Sequence, residues 1–151
     1  MKLSKGFTLI EVLLVVAIIA IIAGIIILAV NPRKQLDESN DARRRADVNT
    51  ILNAVYQFAI DHGGQIPGTI TTAQTEICLT GSGVASATCG AQIDLEALTN
   101  NERYLVRIPN DPGGATTSFG TGYHISKSAN SRVTVYAVAT SSTGAIINIT
   151  R

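Results

Sequence analysis

The chain has 151 residues, about one domain's worth, so at most one globular core with an appended segment is expected. It is 46% hydrophobic and only 15% charged, where soluble domains carry roughly 25% charge, so part of it does not face water. A net charge of +1 disfavours binding nucleic acid through bulk electrostatics, and two cysteines with two histidines are too few for a Cys/His metal centre or a thiol enzyme.

Lys2 and Lys5 precede an apolar block, in which Val12 to Val30 holds nothing more polar than Gly24. As a helix rising about 1.5 Å per residue, Phe7 to Val30 would run about 36 Å, enough to cross a hydrocarbon core of about 30 Å. Apolar side chains all round give no single core-facing stripe, as expected in lipid rather than at the surface of a soluble core. A secretory signal peptide is disfavoured because its apolar region is shorter, roughly 7 to 15 residues. The exit Leu28-Ala29-Val30-Asn31-Pro32 also lacks a small-x-small cleavage site.

Glu11 interrupts this block. An ionised side chain deep in lipid costs on the order of 3 kcal/mol, so such a residue normally has a partner. Either Glu11 is hydrated near the lipid boundary, or cleavage after Gly6 gives Phe7 an α-amino group four residues away that can pair with it.

The segment Gly6-Phe7-Thr8-Leu9-Ile10-Glu11, followed by Val12 to Ala23, resembles the prepilin signature of type IV pilins and the pseudopilins of type II secretion. The resemblance covers about the first thirty residues. It implies cleavage after Gly6 by a membrane prepilin peptidase, N-methylation of Phe7, and pairing of Glu11 with the amino terminus of a neighbouring subunit during assembly. Many members have a proline earlier in the helix, whereas here Gly24 lies mid-run and Pro32 follows it.

Beyond Pro32, the charges Arg33, Lys34, Asp37, Glu38, Asp41, Arg43, Arg44, Arg45 and Asp47 read as a solvated helix face. Counting basic residues on both sides of the span would put the C-terminal part in the cytoplasm. The leader motif implies the opposite, an extracytoplasmic head. Val48, Ile51, Leu52, Val55, Phe58 and Ala59 recur with the spacing of one helix face, with Asp47, Asn53, Ala54, Gln57 and Asp61 mostly off it. Gly63-Gly64 predicts a stop near His62.

Residues 65 to 90, rich in Thr, Ser and Gly, predict a loop with little regular structure. Cys78 and Cys89 lie within it, at a spacing that a disulfide can close. Two free buried thiols are the alternative, favoured only if this part is cytoplasmic.

Tyr104 to Ile108, Tyr123 to Ser126, Arg132 to Ala139 and Ala145 to Thr150 predict strands, with a turn at Ser141-Ser142-Thr143-Gly144 before the last. A small antiparallel meander on the Val48 to Ala59 stripe is the economical arrangement. Ile108-Pro109-Asn110-Asp111-Pro112-Gly113 is similar to a pseudopilin loop that in some members lies near calcium. Asp111 is nevertheless the only acid after Glu102, and a plain turn is expected. His62, His124 and the Asp61-His62 pair fall in no nucleophile or metal motif, so no catalytic residue, metal or cofactor is expected. Asn148-Ile149-Thr150 matches a glycosylation triplet that recurs by chance.

The expected fold is α+β, a long N-terminal helix whose first half spans the membrane and whose amphipathic second half packs on a small antiparallel sheet. Its divisions are a leader (residues 1–6), a membrane and filament-core helix (7–32), an amphipathic helix (33–62) and a β-rich head (63–151). The resemblance implies a non-enzymatic filament subunit stored in the membrane. Its partners would be identical or homologous pilins, the prepilin peptidase, an inner-membrane assembly platform and lipid. A pseudopilin, a minor tip subunit and a membrane-anchored binding module are the alternatives.

Overall fold

The structure is a computed structural model that describes residues 6–29, 31–80, 85–138, 144 and 146–151. Lys2, Lys5 and the expected turn residues Ser141 to Thr143 lie outside the described residues. The chain divides into two units, Met1–Leu36 and Asp37–Arg151.

In the first unit, helix α1 spans Leu9–Ala29 and runs uninterrupted through Gly24. Its stretch Leu9–Ile27 has a mean hydropathy of 3.2, long and apolar enough to cross a membrane. Helix α2 spans Pro32–Asp61. Pro32 opens it, at a position where a missing N–H costs no intrahelical bond. Asn31 Oδ1 accepts from the Lys34 N–H at 3.3 Å, capping the first turn.

In the second unit, α2 is followed by β1 (Thr75–Cys78), the one-turn helix α3 (Glu96–Thr99), β2 (Gly120–Lys127), β3 (Val133–Ala137) and β4 (Ile147–Thr150). The strands form an antiparallel sheet in the order β1-β2-β3-β4. With α1 and α2 ahead of it, the fold is α+β.

The α2 stripe Val48, Ile51, Leu52 and Val55 is wholly buried in one cluster with Tyr123 and Ile125 of β2, Val133 and Val135 of β3, and Ile77 of β1. Burying such a side chain contributes about 1.5–3 kcal/mol, so this stripe carries most of what holds α2 to the sheet. Ala54, read from the sequence as off the face, is buried as well, and Phe58, read as on it, is only half-buried.

Three further expectations are corrected. Tyr104 to Ile108 forms no strand, because the Tyr104 and Leu105 N–H groups bond to the Leu98 carbonyl at the end of α3 and so are lost to a sheet ladder. The segment from 65 to 90 contributes β1, whose Glu76, Ile77 and Cys78 are buried. The charged start of α2 is not wholly solvated, since Asp41 and Arg44 are 4% and 5% exposed.

Candidate processing and assembly site

Gly6, Phe7 and Thr8 precede the first turn of α1 without regular structure. The Thr8 hydroxyl oxygen accepts the Glu11 N–H, and the Glu11 carboxylate accepts both the Thr8 N–H and the Thr8 hydroxyl, each at 3.3 Å. This reciprocal arrangement is a capping box, closing two of the donors that every helix N-terminus leaves open. It also answers in part the sequence's question about Glu11: the carboxylate has local polar partners, though neutral ones. A cationic partner would add direct charge–charge attraction to the hydrogen bond. Phe7 is 86% exposed, and every side chain described from Gly6 to Ile27 is exposed, so no described residue covers the apolar surface of that stretch.

Residues 1–27 match the prokaryotic N-terminal methylation motif. The chain carries the type IV pilin and pseudopilin signal. That signal marks precursors of structural subunits, and the α+β fold with its leading apolar helix is consistent with a pilin fold. Comparison with curated proteins and with solved structures gives no match. The signal brings Gly6, Phe7 and Glu11 together at one end of an apolar helix compatible with membrane anchoring.

In the head, Cys78 and Cys89 form a disulfide with an S–S length of 2.06 Å, tying the end of β1 to the loop that leads to α3. Asp111 is neither a simple turn residue nor open to a cation. Arg44 Nε donates to its Oδ2 at 2.9 Å and its Oδ1 at 3.2 Å, and Nη2 donates to Oδ1 at 3.0 Å. Arg44 Nη1 donates to Asp41 at 3.0 Å, and the Gly113 N–H caps Asp111 Oδ1. These bonds, the Asp111 one foremost, raise the Arg44 pKa and keep it charged while buried. Among the described residues, no group of three His, Cys, Asp or Glu side chains is placed to hold a metal.

Glu76 is a further buried charge that sequence reading missed, at 3% exposure. Burial by itself would raise its pKa. Donors outweigh that effect and hold it below the usual carboxylate range: the Thr117 and Thr116 hydroxyls and the Thr116 and Gly122 N–H groups. Gly120 makes room for this carboxylate, since a Cβ there would collide with it. At Gly122, φ is 81° and a Cβ would lie 2.7 Å from that of Asp111. A Gly-x-Gly opening a strand was the one available signal, because it implies close approach of another group. The Tyr123 hydroxyl donates to Asp47 at 2.7 Å, and burial first, then this bond, raises its pKa.

Among the described residues neither histidine forms a hydrogen bond to an acid, although His124 lies opposite Glu76 in the sheet. His62 Nδ1 lies 2.8 Å from the Phe58 carbonyl, and Asp61 instead accepts from Arg103 and Tyr104. His124 sits in β2 with Nδ1 buried and unpartnered.

Proposed function

We propose that this chain is a structural subunit of a type IV pilus-like filament, cut after Gly6, N-methylated at Phe7 and polymerised through α1. The observation that carries the reading is the signal at residues 1–27, which takes in most of a helix whose apolar side chains from Leu9 to Ile27 are exposed on every side. Such a surface can face lipid before assembly and pack on neighbouring copies afterwards, so it never needs to meet water. Glu11 would then exchange its Thr8 contacts, whose donors are neutral, for the ammonium of a neighbour's Phe7, gaining an ion pair and fixing axial register. The partners in this scheme are a prepilin peptidase, an inner-membrane assembly platform and further pilin-type subunits, with the head outside the cytoplasm.

Glu11→Val tests the scheme in cells with an active prepilin peptidase. Membrane insertion and cleavage after Gly6, read by mass spectrometry of the new terminus, should persist while filaments disappear or fall sharply. Normal filament yield would refute the pairing, and an intact Gly6-Phe7 bond in wild-type protein would refute the processing. The likeness of the 108–113 loop to pseudopilins supports a second reading, a type II secretion pseudopilin. A major subunit should dominate purified surface filaments, whereas a pseudopilin, tip subunit or anchored module should be scarce there.

A further inference from the structure

At the C-terminal end of α2, beside α3 and the 3₁₀ turn Asn100–Glu102, two cavities of about 400 and 300 Å³ adjoin. Phe58, Ala97 and Asn100 line both and form their common wall. Each volume falls within or close to the range of small-ligand sites, roughly 300–1,000 Å³. The first extends past Pro67 to Thr69 and Glu96, and the second over His62, Asn101, Arg103 and Tyr104.

Three rings line the second cavity, and Phe58 among them belongs to the shared wall. Phe58 and His62 stack with centroids 3.9 Å apart and planes 11° from parallel, and Tyr104 stands edge-on to Phe58 at 5.7 Å. Asp61 holds this group still, accepting from the Tyr104 hydroxyl and from Arg103 Nη2, both at 2.9 Å, so the Arg103 charge is already answered. Beside the rings, the side-chain amides of Asn100 and Asn101 have no partner among the described residues. Asn101 and Glu102 take left-handed φ values of 53° and 55°, a conformation uncommon in residues with side chains.

Ring surfaces offer apolar stacking, and each free amide both donates and accepts. The ligand that complements both has C–H faces and many hydroxyls. Asp94 and Glu96 in the first cavity disfavour an anion, and the Arg103–Asp61 pair at the second carries no net charge. We propose that this groove binds a neutral oligosaccharide, with a sugar ring seated against the cluster of Phe58, His62 and Tyr104. The proposal is separate from filament assembly, because every group it uses lies between Phe58 and Tyr104.

The test uses the full chain in a detergent without a sugar headgroup and four probes: lactose, maltose, cellobiose and chitobiose. Saturation-transfer NMR should show at least one of them bound through its ring C–H groups. Ala97→Trp, which fills the shared wall, should abolish that binding. Asn100→Ala combined with Asn101→Gly should weaken it tenfold or more while the circular dichroism spectrum is retained, glycine being at ease at that φ. No binding by any of the four sugars, or binding that both variants leave intact, overturns the proposal. Because the subunits are unassembled, a negative result leaves the filament reading standing, and a failure of filaments leaves this site standing.

Discussion

Breaking the Arg44–Asp111 pair should be the most damaging single polar change in the head. Asp111→Ala removes all three Arg44 bonds to that carboxylate and leaves a guanidinium with 6% of its side chain exposed facing only Asp41. Removing one partner of a buried pair costs about 3–5 kcal/mol, and the Asp41 bond that survives places this variant toward the lower figure. For a unit of this size, at about 4 °C per kcal/mol, that is a fall in Tm of about 12–20 °C. Arg44→Met should cost a similar amount, since it leaves two buried carboxylates facing each other. Replacing all three groups together, Asp41→Leu with Arg44→Met and Asp111→Leu, should recover most of the loss, because an apolar set of similar volume avoids desolvating the ions. The readout is thermal unfolding of the full chain in detergent at pH 7, followed by near-ultraviolet circular dichroism, which reports the buried Tyr123. Single variants that each cost under about 1 kcal/mol, with effects that simply add, would show a pair worth no more than one at the surface and refute the reasoning.

Two more outcomes are expected. Because the folded-state pKa of Glu76 lies below the unfolded value near 4.5, its contribution should be complete above that pH and lost as pH falls through the folded pKa. The Tm of wild type should therefore drop more steeply than that of Glu76→Gln in acid, and parallel curves would contradict this. Reduction of Cys78–Cys89 should destabilise the head by about 3 kcal/mol, as expected for releasing a loop of about a dozen residues. Thiols that alkylate freely before reduction would contradict the bond.

Local patterns made much of this fold legible. The unbroken apolar run became α1, the Val48 to Ala59 spacing became the buried face of α2, and the alternation of Val133 to Ala137 became β3. What escaped were features decided by distant partners. Asp41 and Arg44 look like members of a solvated charge run until residue 111, remote in sequence, is brought beside them. β1 escaped because a four-residue strand containing Glu76 carries too little hydrophobic signal, its charge being satisfied by residues 116 to 122. Tyr104 to Ile108 has strand-like composition, but its amides are taken by a neighbouring turn. At the N-terminal site, the motif was readable because it is contiguous, and the Thr8–Glu11 cap could have been read from its Thr-x-x-Glu spacing.

The stretch from Gly113 to Phe119, mostly small and polar residues on the surface, would be a natural choice for inserting an epitope or fluorophore tag. The Glu76 carboxylate argues against that choice. Its donors come from Thr116 and Thr117 within the stretch and from Gly122 just beyond it, while Asp111, clamped by Arg44, receives Gly113 at the near end. Lengthening the segment would pull these donors out of register with two buried anions at once, so an insertion there should act like a core mutation.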